Sequence, residues 1–112
     1  MAYLIGIDVG TSSTKALLID ESGKVLKSVA PEYEFQTPKP LWAESDPADW
    51  WSATIEAIKS LLEDIDPGQV VGLGLTGQMH GLVCLDKSGD VLRPCIMWND
   101  QRTADQCREM TA

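Results

Sequence analysis

Two short apolar runs, Tyr3 to Val9 and Thr14 to Asp20, flank the small polar stretch Gly10-Thr11-Ser12-Ser13. Runs joined by so tight a polar turn predict a β-hairpin, and this constrains the fold more than any other feature. Glu21-Ser22-Gly23-Lys24 is a second turn, and Val25 to Phe35 continues as a third extended segment. Pro31 falls inside that segment and has no amide to donate, so the strand is interrupted there or runs along an edge.

A loop carrying Pro38, Pro40 and Trp42 spans Thr37 to Ser45. Asp46, Pro47 and Asp49 then supply an N-cap, a first-turn proline and an acid near the helix start. Trp51, Ile55, Ile58 and Leu62 follow at helical spacing, widened by Leu61 and Ile65, and predict an apolar face with Trp51 in the core. Asp66-Pro67-Gly68 stops the helix. Gln69 to Leu75 reads as a strand suited to burial on both faces. It ends in the flexible stretch Thr76-Gly77-Gln78-Met79-His80-Gly81. Leu82 to Leu85 and Val91 to Trp98 predict a further hairpin about the turn at Asp86 to Asp90. Thr103 to Met110 predicts a helix that meets no cap, glycine or proline, the pattern of a fragment. The order β-β-β-α-β, then hairpin and helix, predicts an α/β fold with a mixed sheet and helical cover.

The 112 residues allow one domain, and the apolar runs offer more core than so short a chain covers alone. Seventeen acids against nine bases, a net charge of −8, argue against a nucleic-acid surface, which needs a basic stripe. Cys84, Cys95 and Cys107 show no zinc-site spacing and read as reduced thiols. The start Met1-Ala2-Tyr3-Leu4-Ile5 lacks the basic residues of a signal peptide, and no apolar run reaches membrane-span length. A cytoplasmic protein is the expectation.

The chemistry begins at Asp8-Val9-Gly10-Thr11-Ser12-Ser13-Thr14-Lys15. Asp8 ends an apolar strand, where a carboxylate is costly without partners, and Mg²⁺ with its waters is one such partner. Gly10 allows a phosphate close to the amides of Thr11, Ser12 and Ser13, the hydroxyls add donors, and Lys15 brings a positive charge. The loop joins two strands and lacks the GxxxxGK[ST] spacing of a Walker loop. Read from residues alone, a plain hairpin turn rich in small residues stays open as the alternative. So does a hydrogen-bonded structural role for His80, although its place after a strand in an open α/β sheet suits ligand binding. A neutral imidazole there can both donate to and accept from hydroxyl groups. Trp42 and Trp98 either line a pocket or pack.

Ile5 through Lys15 resembles the first phosphate motif of the actin, Hsp70 and sugar-kinase superfamily, in which two RNase H-like domains close over ATP. Leu41-Trp42-Ala43-Glu44-Ser45-Asp46-Pro47-Ala48-Asp49-Trp50-Trp51, Gly77-Gln78-Met79-His80-Gly81 and Trp98-Asn99-Asp100-Gln101-Arg102 resemble the FGGY carbohydrate kinases, most of all their xylulokinase branch. The resemblance covers essentially the whole chain. It implies an RNase H-like domain, of which residues 1–112 form the N-terminal part. The remainder of that domain and the second domain then lie outside this sequence.

It further implies ATP-dependent phosphorylation of a ketopentose, D-xylulose first, with Mg²⁺ and ATP as cofactors and a small sugar as partner. Asp8 then serves activity and the metal, Gly10, Thr11, Ser12, Ser13 and Lys15 the phosphates, and Met79 and His80 the sugar. Gln78, Asn99 and Asp100 are further sugar-site candidates, and the catalytic base lies outside the chain. Neither nucleic acid nor membrane is an expected partner, and a homodimer is the expected assembly of the parent. The isolated fragment is expected to be inactive. Rival readings are an actin- or Hsp70-like ATP module without sugar chemistry, a kinase of ribulose, gluconate or glycerol, and an RNase H-like nuclease.

Overall fold

The computed structural model describes residues 1–112. The chain divides into two compact units, one of residues 1–33 and 48–78, the other of residues 34–47 and 79–112.

In the first unit the predicted hairpin forms. Strand β1 (Tyr3–Val9) pairs antiparallel with β2 (Thr14–Asp20) from Tyr3↔Asp20 to Val9↔Thr14. Strand β3 (Val25–Val29) adds antiparallel to β2 and ends before Pro31, whose missing amide would interrupt a ladder. The extended segment expected to reach Phe35 is thus shorter, although Ser13 still bridges Glu32. Helix α1 (Pro47–Leu61) opens at Pro47 as its first-turn signals require. After it, Asp66 caps a short 3₁₀ turn at Pro67–Gln69, its carboxylate accepting the Gly68 amide at 2.9 Å.

Strand β5 (Val70–Gly77) runs parallel to β1, giving the order β3-β2-β1-β5. Val71 is skipped in the register between Tyr3↔Val70 and Leu4↔Gly72, a bulge that nothing in the apolar pattern announces. Of the apolar residues expected to be buried on both faces, Leu73 and Leu75 are 55% and 70% exposed. The reason is lateral: β5 is the edge strand, and α1 covers the sheet over β1 and β2.

The core consists of Ile5, Ile7, Ala16, Leu18, Ala57 and Leu61, flanked by Ile58, Leu62 and Ile65. Each buried Leu or Ile side chain supplies about 1.5–3 kcal/mol. The inward face overlaps the predicted one, since Leu61, Ile58, Leu62 and Ile65 pack there, but it extends to alanines and leaves Trp51 out. Ala53, Ala57 and Leu61 are buried, whereas Trp51 is 68% exposed. Trp51, near the start of α1, lies outside the cluster that packs on the sheet.

In the second unit the predicted loop contains a two-residue strand, β4 (Glu44–Ser45), paired antiparallel with β6 (Cys95–Ile96). The expected second hairpin is reduced to single bridges, Leu85↔Val91 and Leu82↔Ile96. Helix α2 (Ala104–Thr111) lies one residue beyond its predicted limits. Asp100 organises this unit. Its Oδ2 accepts the Ala43 amide at 2.7 Å and Arg102 Nη2 at 2.7 Å, and its Oδ1 accepts the Arg102 amide at 2.9 Å. Arg102 also pairs with Glu44 at 2.9 Å and lies over the Trp42 ring at 3.7 Å. Trp42 packs against Arg102 and also lines a pocket with Pro38 and Asn99, so both roles its sequence left open apply. The side-chain hydrogen bonds from Arg102 hold the Asp100 carboxyl at about 2, against the opposing effect of desolvation.

Two expectations test these elements. Ala57→Leu overpacks the helix–sheet gap and should cost about 1–3 kcal/mol in urea denaturation, whereas Trp51→Ala should stay within about 0.5 kcal/mol. Asp100 has a depressed carboxyl, so its contribution is complete above the unfolded value of about 3.9 and is lost as pH falls through about 2. Wild-type stability should fall across that interval, and Asp100→Asn should be less stable at neutral pH with a flatter profile there.

Candidate functional site: a hairpin turn at the carboxyl ends of two parallel strands

Because β1 and β5 are parallel, Val9 and Gly77 end side by side, and the Gly10–Ser13 turn continues from that edge. The turn is closed by the Gly10 amide donating to the Ser13 carbonyl at 2.8 Å. A Cβ on Gly10 would sit 3.0 Å from that same oxygen, and one on Gly77 3.1 Å from the Val9 carbonyl. Close backbone approach, not a positive φ, is what glycine supplies at both positions.

The turn is anchored from two sides. The Tyr33 hydroxyl donates to the Gly10 carbonyl at 2.5 Å and lies 3.0 Å from the Ser13 carbonyl, while the Tyr33 amide donates to the Ser12 carbonyl at 3.0 Å. Fully buried Thr14 donates its hydroxyl toward Tyr33 Oη at 3.5 Å. Burial raises the Tyr33 pKa; the Thr14 contact lowers it, and the charge of Asp8 raises it further. The phenol therefore stays a neutral donor at physiological pH. From the β5 side, Gln78 accepts the Thr11 hydroxyl at 3.3 Å and offers Nε2 to the Gly10 carbonyl at 3.5 Å. Gln78, expected at a sugar site, has its side-chain amide engaged with the turn at both ends. Sequence reading missed Tyr33 altogether, since a lone tyrosine after a proline carries no spacing signal.

Asp8 and Lys15 are direct cross-strand partners, and Thr76 faces Asp8 across the parallel ladder. With Gly6, Leu17 and Gly74 they line an open groove on the sheet face opposite α1. The expectation that Asp8 sits in a buried setting is corrected: both Asp8 and Lys15 are exposed, because pleating turns them away from the Ile5–Ile7 face. A solvated carboxylate pays no desolvation cost here and needs no partner within the protein.

The groove also suits a hydrated magnesium ion. No cluster of three or more His, Cys, Asp or Glu side chains is present in these residues. Mg²⁺ keeps several waters and takes one or two carboxylates together with phosphate oxygens, which a single exposed Asp8 can serve.

The remaining candidates belong to the second unit. Met79 is 72% exposed, and His80 is exposed with its backbone at φ 63, in the left-handed region. A non-glycine residue there is uncommon and costs about 1–2 kcal/mol. Asn99 borders a pocket formed with Pro38, Lys39, Leu41 and Trp42, and its buried Oδ1 has no hydrogen-bond partner. Asp100 has both oxygens engaged by Arg102 and Ala43.

Residues 3–112 match the FGGY family of carbohydrate kinases, N-terminal domain. A xylulose kinase from Klebsiella pneumoniae is 50% identical over 104 residues, covering 93% of this chain and 22% of that protein. The crystal structure of a xyloylose kinase from Brucella ovis aligns with a TM-score of 0.89 at 42% identity, covering 96% of this chain and 23% of its own. That of gluconate kinase from Lactobacillus acidophilus aligns at 0.93 with 34% identity, covering 98% and 22%. The chain thus spans under a quarter of the length of the relatives it matches. With its mixed sheet, its parallel β1–β5 pair and a sequence match over nearly every residue, the chain belongs to the FGGY family of carbohydrate kinases, within the N-terminal domain.

Proposed function

We propose that the whole protein transfers the γ-phosphoryl group of ATP to a ketopentose, D-xylulose, giving the 5-phosphate. Residues 1–112 are then the N-terminal part of the first domain of a two-domain cytoplasmic kinase, and no helix here is long and apolar enough to cross a membrane. One observation carries the reading: a hairpin turn with its carbonyls tied back stands beside an exposed Asp8–Lys15 pair, at the carboxyl ends of parallel strands. Ligands of open α/β sheets bind at that edge. The naming of relatives such as the Klebsiella protein as xylulose kinases supports the choice of sugar.

The residues divide the work. Thr11, Ser12 and Ser13 bring hydroxyl and amide donors to the phosphates, Gly10 keeps the backbone close, and Lys15 offsets their charge. Asp8 would hold Mg²⁺ through water, and that ion, when bound, neutralises charge on the phosphate oxygens. Met79 and His80 contact the sugar, with His80 held in a backbone geometry that limits where its imidazole points. The unpartnered Asn99 oxygen is suited to accept a sugar hydroxyl. Asp100 acts by holding Ala43 and Arg102 in place. A kinase for gluconate is the second reading, favoured by the Lactobacillus structure, because these residues line only part of a sugar site.

Asp8→Asn in the whole protein should lower kcat about a hundredfold or more while leaving the sugar KM within about threefold, as expected for a group acting on the transferring phosphoryl. Steady-state kinetics check this, and unchanged turnover removes Asp8 from the mechanism. Among D-xylulose, gluconate and glycerol, the highest kcat/KM should belong to D-xylulose; a preference for gluconate selects the second reading.

A further inference from the structure

We propose that Tyr33 is a positioning residue for nucleotide phosphate, acting by holding the carbonyls of the Gly10–Ser13 turn inward. The proposal rests on the phosphate reading of that turn. One residue gathers three of its four carbonyl oxygens: Gly10 at 2.5 Å and Ser13 at 3.0 Å from the phenol, and Ser12 at 3.0 Å from the Tyr33 amide. The carbonyl end of a peptide is its negative end, so a turn that shows its carbonyls to a phosphate repels it. In a trans peptide the following N–H points opposite to the carbonyl. For the Gly10–Thr11 and Ser12–Ser13 peptides, fixing the oxygens toward Tyr33 therefore fixes the positive ends away from it, whereas the Thr14 amide donates to the Pro31 carbonyl at 3.1 Å.

The hydroxyl matters most at the Gly10–Thr11 peptide. Without a Cβ, Gly10 is the residue about which that peptide rotates most freely. The shortest contact of the set falls on its oxygen. Gln78 reaches the same oxygen only at 3.5 Å, a weaker restraint. The aromatic ring is itself buried, so the hydroxyl is delivered from a rigid base rather than from a mobile surface side chain. Loss of the hydroxyl should then leave the fold standing and loosen the turn.

The test titrates Mg²⁺–ATP into the whole protein by calorimetry, comparing wild type, Tyr33→Phe, and a variant with 4-aminophenylalanine at position 33, which keeps a donor in the same place. Tyr33→Phe should weaken ATP binding about tenfold, the size expected for one hydrogen bond, with the sugar KM unchanged and the thermal midpoint within a few degrees. The 4-aminophenylalanine variant should recover binding to within about twofold of wild type. Wild-type ATP affinity in Tyr33→Phe overturns the role of Tyr33 and leaves the phosphate reading intact, as does a 4-aminophenylalanine variant as weak as the Phe variant. A wild-type protein that binds no Mg²⁺–ATP overturns the phosphate reading and the role of Tyr33 with it.

Discussion

The parallel ladder between β1 and β5 is the constraint on which the rest of the first unit depends. Parallel strands cannot be joined by a tight turn, so the chain must cross back, and α1 lies on that return path. The crossing helix covers Ile5, Ile7, Ala16 and Leu18 with Ala57 and Leu61. The same pairing ends β1 and β5 together, which puts the Gly10–Ser13 turn within reach of Gln78. Antiparallel pairing of β5 would have sent that glutamine to the far edge of the sheet.

Asp8 and Asp100 show how environment gives one side chain two roles. Asp100 is sunk in its unit, with Arg102 and Ala43 on both oxygens and a carboxyl held at about 2. Its charge is spent on structure, where removing one partner leaves the other uncompensated. Asp8 stands exposed in an open groove beside Lys15. The sequence places Asp8 near a site by its loop, and Asp100 by the family resemblance of Trp98 to Arg102. Only the partners separate them.

Much of the fold was legible because its signals are local. The β1–β2 hairpin, the start of α1 at Pro47 and the turn at Asp66-Pro67-Gly68 follow from turn chemistry and capping, which act within a few residues, although α1 itself ends earlier, at Leu61. What failed depended on distant neighbours. Trp51 shares its helical spacing with Ile58 and Leu62, which pack against the core, yet it is itself exposed, and spacing alone cannot report that. Strand β5 looks buried by composition but lies at the edge, which composition cannot report. The site divides in the same way. Asp8, Gly10 and Lys15 form a contiguous motif, whereas Tyr33 joins the turn only through the return of the chain beyond β3, and nothing local predicts that contact.

A crystal structure of the whole protein with Mg²⁺ and a non-hydrolysable ATP analogue tests the central claim most directly. The account predicts phosphate oxygens within about 2.7–3.2 Å of N–H or O–H groups of Thr11, Ser12 or Ser13, with the Tyr33 phenol still on the Gly10 carbonyl. Phosphates seated away from the turn, or a turn whose Gly10 and Ser13 carbonyls face them, would contradict it.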